Sequence, residues 1–238
     1  MRVIIVYDNN GYDERLKTEW GFACWVEYGE HTILFDTGGD GAILLANMEA
    51  LGLDPRRIEI VVLSHEHGDH TGGLNELLAV HSEVTVFMPH ALPSSLKGQV
   101  QASGAELVEV GEPLEILPGL HSTGEMGGSI IEQALVARSS QGLVVITGCA
   151  HPGIVQMVEQ ARAIGQDDVH MVFGGFHLGN RSAGGIDHIV DDFRRLGVEK
   201  AGPTHCSGDR ARQIFAEAYG DDYLDTGAGW GFTIASIG

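Results

Sequence analysis

The chain has 238 residues, 43% of them hydrophobic and 20% charged, the profile of a globular protein long enough to bury a sizeable core. Its formal charge of −19 argues against nucleic acid or an anionic membrane as a partner, because both recruit basic patches. No apolar stretch nears the ~20 residues that span a bilayer. In chain order, apolar runs predict strands over 3–7, 21–28, 32–35, 58–64, 84–88, 106–110, 114–117, 130–137, 143–147, 169–173 and 232–235. The first of these is a strand rather than the apolar region of an export signal, so a cytoplasmic protein is expected. Helical periodicity predicts helices over 42–51, 73–80, 153–164, 186–196 and 210–219, with Gly52 and Gly197 as stop signals. No repeat, charge run or linker divides the chain, and a single domain over 1–238 is expected. Strand pairs followed by strand–helix units predict an α/β layered architecture. Cys24, Cys149 and Cys206 are odd in number and widely spaced, a pattern of reduced thiols rather than of a disulfide framework.

The most informative stretch is His65-Glu66-His67-Gly68-Asp69-His70, which places three imidazoles and the carboxylate of Asp69 within six residues. Neutral imidazole and carboxylate are ligands for zinc and similar divalent ions. The cluster follows an apolar strand and precedes a helix start, and the carboxyl ends of strands are where open α/β sheets place ligands.

Three later turns repeat that pattern. Thr147-Gly148-Cys149-Ala150-His151-Pro152-Gly153 ends a strand with a thiol and an imidazole, so His151 is a candidate metal ligand and Cys149 either a soft ligand or a buried apolar group. Pro203-Thr204-His205-Cys206 offers His205 as a ligand, with Cys206 either packing or tuning the site from behind the ligands. Gly174-Gly175-Phe176-His177-Leu178 offers His177 as ligand, proton donor or substrate contact. Asp36, after the strand at 32–35, either orients a ligating imidazole or stabilises its own turn.

Together these residues resemble the metallo-β-lactamase superfamily, through Phe35-Asp36-Thr37-Gly38, Ser64-His65-Glu66-His67-Gly68-Asp69-His70-Thr71-Gly72-Gly73-Leu74, Thr147-Gly148-Cys149-Ala150-His151-Pro152-Gly153 and His205. The resemblance implies a four-layer αββα sandwich: two facing mixed sheets flanked by helices, with a two-metal site along one edge. Asp8-Asn9-Asn10, Gly148-Cys149-Ala150-His151-Pro152-Gly153-Ile154, Gly174-Gly175-Phe176-His177-Leu178 and Pro203-Thr204-His205-Cys206 are similar to the branch named after dihydropterin-ribofuranosyl-aminobenzene phosphate synthase. The chain departs from the common pattern twice. A histidine is usual where Ser122-Thr123-Gly124-Glu125-Met126-Gly127 stands, and an aspartate is usual at Cys149. His151 is then expected to replace the missing imidazole, with Cys149 or Glu125 completing the second metal's surroundings.

The expected activity is hydrolysis with two divalent ions, zinc first and manganese or iron(II) as alternatives. His65, His67 and His151 would hold one ion; Asp69, His70 and His205 would hold the other. Water activated between them, oriented by Asp69, would attack a phosphate ester or related small molecule, and His177 would protonate the leaving group. Asn9, Arg181 and Lys97 are further candidates for contacts with ligands or with an anionic substrate. Two rival expectations are the pterin synthase reaction of the named branch and a metal-binding sensor without hydrolytic activity. The expected partner is a small molecule, with a homodimer left open.

Overall fold

The structure, a computed structural model, describes residues 1–237. Its amino-terminal half opens with an antiparallel meander of β1 (Arg2–Asp8), β2 (Phe22–Tyr28) and β3 (His31–Phe35). It then alternates α1 (Gly41–Ala50), β4 (Ile60–Val62), the single turn α2 (Gly68–Thr71), α3 (Leu74–Val80), β5 (Thr85–Pro89), α4 (Ser94–Ser103) and β6 (Glu106–Val110), with β3 to β6 parallel. Next come β7 (Leu114–Leu117), β8 (Leu120–Ser122), the short pair β9 (Met126–Gly127) and β10 (Ile131–Glu132), and the hairpin of β11 (Leu135–Ser139) with β12 (Gly142–Thr147). The chain continues through α5 (Ile154–Gly165), β13 (Val169–Gly175), α6 (Ala183–Arg195), β14 (Lys200–Thr204) and α7 (Asp209–Tyr219), and β15 (Gly231–Thr233) returns to pair with β1.

Two mixed sheets result, in the orders β15-β1-β2-β3-β4-β5-β6 and β14-β13-β12-β11-β8-β7. Strand side chains alternate between faces, and the central strands here have apolar residues on both. Val3 and Ile5 of β1 join Phe35 of β3, Val62 of β4, Val144 and Ile146 of β12 and Phe173 of β13 in a core between the sheets. Ile4 and Val6 point the other way and pack with Leu44, Met48, Leu74 and Leu77 of α1 and α3. Val145 of β12 and Val172 of β13 pack against Met157 of α5, Phe193 of α6 and Phe215 of α7. The layers are therefore αββα. The continuous apolar reading of Leu143-Val144-Val145-Ile146 reflects a strand covered on both faces.

Several boundaries differ from the sequence reading. The expected strand over 130–137 is broken after Glu132, because the Gln133 amide donates to the Ser64 carbonyl and the Ala134 amide to the Thr123 hydroxyl rather than to one partner strand. Helix α4 was not expected: only Val100 of its residues is buried, so it lacks an apolar stripe. Strand β14 is a further difference, since Gly202 and Pro203 read as a turn in sequence. The consequence for function is topological. Strands β3, β4, β12, β13 and β14 all deliver their carboxyl ends to one edge, where Asp36, His65, Cys149, His177 and His205 follow.

Candidate metal centre

The first group forms around His65. This residue leaves β4 fully buried, and His67 sits at the start of α2, where its carbonyl accepts the amides of His70 and Thr71 at 3.0 and 3.1 Å. His65 Nε2 and His67 Nδ1 stand 3.1 Å apart, and each ring centroid lies 4.8 Å from that of His151. His151 reaches them from the turn after β12. That turn is held by Glu132, a buried carboxylate that accepts the amides of Cys149, Ala150 and His151, each at 2.8 Å.

The second group shares an edge with the first. His70 Nε2 lies 3.2 Å from His205 Nε2 and 3.2 Å from Cys149 Sγ, and Asp69 Oδ2 is 3.2 Å from His205 Nε2. Cys149 also stands near His65 and His151, so the thiol lies between the two groups. A third set, Cys149, His177 and Cys206, extends from it toward the surface.

The outer nitrogens of these rings settle which inner nitrogens carry lone pairs. Asp36 Oδ2 accepts from His70 Nδ1 at 2.7 Å, and Asn9 Oδ1 accepts from His205 Nδ1 at 2.8 Å. The Ser64 hydroxyl spends its one proton on Asp36 Oδ2 at 2.7 Å, so at 2.9 Å it accepts the proton of His65 Nδ1. Each neutral ring then turns an unprotonated Nε2 inward. Lone pairs facing each other at about 3 Å repel unless a cation lies between them, and His151 Nε2 is buried with no protein partner. The donor set of imidazole, carboxylate and thiol fits zinc or a similar divalent ion.

The electrostatics match an enclosed cationic site. Burial, then the neighbouring imidazoles, holds His65 well below its ordinary value, and the same two causes bring His151 to about 4. For His70 burial acts downward but the charge of Asp36 prevails and raises it. Asp69 is also opposed by burial, yet the bond with His205 and the charge of His70 keep it well below the usual carboxylate range. Burial pushes Glu132 up to about 7 and Asp8 up to about 6. A hydrogen bond between the two free sulfurs raises Cys149 and lowers Cys206, which a hydrogen bond from His177 also favours as a thiolate.

Backbone strain concentrates here. Asp36, Ala150, His177 and His205 adopt left-handed φ values of 58°, 58°, 52° and 49°. Such conformations cost of order 1 kcal/mol or more for residues with side chains, and they collect at functional loops.

Of the residues singled out from sequence, the fold brings together His65, His67, Asp69, His70, Cys149, His151 and His205, with Asp36 and Asn9 behind them. His177 lies against His151, ring centroids 4.4 Å apart, and Cys206 donates to the Cys149 carbonyl at 3.7 Å. Arg181 lines a cleft with His151 and His177. Two expectations fail. Glu125 turns its carboxylate to the Ala91 amide rather than to the ligand groups, and Lys97, expected to meet an anion, is instead tied to Glu109 and the His90 carbonyl. The carboxylate that serves this turn is Glu132, which sequence reasoning passed over. Its signal was an acid inside the apolar run 130–137, which burial must satisfy. Trp20 was also missed: its exposed indole stands 4.8 Å from the His205 ring.

A comparison with protein families matches residues 21–155 to the metallo-beta-lactamase superfamily, a span that holds Asp36, His65 to His70 and His151. The chain belongs to the metallo-β-lactamase superfamily. Among curated proteins it is similar to the 7,8-dihydropterin-6-methyl-4-(beta-D-ribofuranosyl)-aminobenzene-5'-phosphate synthase of Methanocaldococcus jannaschii, with 28% identity over 93% of this chain and 92% of that one. Among solved structures it is similar to Tm1679, described as a metal-dependent hydrolase of the β-lactamase superfamily, with 29% identity, a TM-score of 0.84, and coverage of 99% of this chain and 100% of that one. The short form of human tRNase Z shares the fold at 14% identity and a TM-score of 0.67, covering 98% and 99% of the two chains. Metallo-β-lactamase superfamily members typically bind metal ions, and the two groups above are this member's candidate ligands.

Proposed function

We propose that the chain is a metal-dependent hydrolase acting on a phosphate ester or a related anionic small molecule. The observation that carries this reading is the meeting of two inward-facing ligand groups, His65, His67 and His151 on one side and His70, His205 and Asp69 on the other, with Cys149 between them. Divalent ions held there, zinc or else manganese or iron(II), would supply Lewis acidity and bring the pKa of water near neutrality. Asp69 stays ionised and half-buried at the rim, where its free oxygen can accept a proton from the attacking water and aim it. His177 is exposed to the adjoining cleft, and its bond with Cys206 raises its pKa, which suits a proton donor to a leaving group. All three cysteines are free, with Cys24 and Cys149 buried, which supports work in a reducing compartment.

A second reading, the pterin synthase reaction, is favoured by the 28% identity extending over 93% of the chain. One experiment separates the two. Metal-loaded protein is offered phosphomonoester, phosphodiester, lactone and β-lactam substrates, and in parallel a pterin diphosphate with a phosphoribosyl-linked aromatic amine. Release of phosphate or alcohol supports hydrolysis. Formation of a condensed pterin product with no ester turnover transfers the assignment to the synthase. Inertness in both arms of protein shown to hold metal would overturn both in favour of a sensor.

A further inference from the structure

The region beside the candidate centre holds a cleft of about 430 Å³, within the size range of small-molecule sites. Its walls come from the turn carrying His151, the start of α5 with Gln156, the loop from His177 to Arg181, and α6 with His188 and Asp192. Because His151 and His177 belong to both, the cleft opens directly onto the histidine cluster.

Arg181 is the one lysine or arginine that lines the cleft, and among the described residues it shares the lack of an ion pair with Lys17, Arg138, Arg194 and Arg210. The chain has 33 acidic residues against 14 lysines and arginines, and its cations are mostly matched: Arg15 with Asp13, Arg56 with Asp54, Arg195 with Asp192, Lys200 with Asp222, Arg212 with Asp225. Among the described residues Arg181 has no carboxylate within ion-pair distance, and Asp192 across the cleft is already taken by Arg195 at 2.8 Å. The backbone under Arg181 is nevertheless fixed. Its amide donates to the Leu178 carbonyl at 2.8 Å, the Gly179 amide donates to the Cys206 carbonyl at 3.3 Å, and Ser182 caps α6. An acidic protein repels an anion at long range, so capture requires a local positive group at the site. The guanidinium fork matches an oxyanion in bidentate fashion.

We propose that this cleft is a subsite for a phosphate-type oxyanion carried by the substrate away from its reacting bond, with Arg181 as the residue that recognises it. The inference deepens the reading of the centre as one that acts on an anionic small molecule.

The test titrates inorganic phosphate by calorimetry into metal-loaded wild type, Arg181→Gln and Arg181→Lys, with metal content measured in each. Loss of a charge-assisted pair predicts at least about tenfold weaker phosphate binding in Arg181→Gln, partial retention in Arg181→Lys, and unchanged metal content. A His67→Ala protein, impaired at the centre, should keep phosphate binding that depends on Arg181. Equal affinity in wild type and Arg181→Gln, including no affinity in either, overturns the subsite. Arg181-dependent binding in a protein that turns over no ester leaves the subsite standing and removes the hydrolase. Ester turnover with an unchanged KM in Arg181→Gln does the reverse.

Discussion

Asp36 and His65 are joined through a single hydroxyl, that of Ser64, while the same carboxylate oxygen of Asp36 takes the Nδ1 proton of His70 directly. One buried acid therefore sets the tautomer of one histidine in each ligand group. Asn9 does the same for His205 alone. Asp36 also accepts the Ser64 amide on Oδ1 at 2.6 Å, so in Asp36→Asn the NH₂ must face either that amide or the two protons on the other oxygen, and outer partners of metal ligands are worth about 10–100-fold in affinity. The expected outcome is weaker binding of both metal equivalents in Asp36→Asn, but of one equivalent in Asn9→Ala. Chelator competition with metal counting checks this; selective loss of one equivalent in Asp36→Asn would sink the shared role.

Glu132 governs the turn that carries Cys149 and His151 by accepting three amides at once. Glu132→Ala leaves three buried N–H groups without an acceptor. At about 1–3 kcal/mol for each unsatisfied group, the loss of unfolding free energy should reach about 3 kcal/mol or more. Glu132→Gln keeps one accepting oxygen and turns an NH₂ toward a donor, so an intermediate loss of about 2 kcal/mol is expected. Denaturant titration of the metal-free proteins measures both, and a loss below about 0.5 kcal/mol in Glu132→Ala would remove this function of the carboxylate.

His67 contributes its Nδ1 to the first group from the half-buried start of α2. His67→Ala should leave the fold intact while lowering metal content toward one equivalent and abolishing turnover. Elemental analysis beside circular dichroism separates these effects. Full metal content with full activity contradicts the placement of His67 among the ligands.

Legibility in the sequence followed the range of the interactions. The cluster from His65 to His70 lies in one turn, Cys149, His151 and His177 follow strands that the apolar pattern reads, and His205 stands beside Cys206 in a short Pro-Thr-His-Cys turn, so local pattern located them. Their partners are set by distant pairing. Glu132 meets Cys149 seventeen positions away and Asn9 meets His205 from 196 positions away, contacts that only the two-sheet topology creates. Glu125 illustrates the converse: it stands in the expected motif in sequence, but between β8 and β9 its carboxylate accepts the distant Ala91 amide. The layered class was readable because strands such as β12 are apolar on both faces, whereas α4, with one buried residue, and β14, with Gly202 and Pro203, carry too little periodicity to announce themselves.

The metal-free protein should show opposed pH dependences from two groups that meet at one turn, His151 within it and Glu132 of β10 bound to its amides. Burial, and after it the charges of His177 and His67, lowers His151 from 6.5 to about 4. Between those values the folded chain binds fewer protons at this ring than the unfolded chain. The contribution of His151 is thus complete above pH 6.5 and is lost as pH falls through about 4. Glu132 runs the other way. Burial raises it from 4.5 to about 7, so its contribution is present below pH 4.5 and lost as pH rises through about 7. His151→Asn removes only the first of these. In the presence of chelator, the stability of His151→Asn relative to wild type should be constant above pH 6.5 and improve steadily as pH falls toward 4. Denaturation midpoints recorded at half-unit steps across that window test the sign, and a difference that stays flat from pH 7 to pH 4 would show that His151 titrates normally in the folded chain.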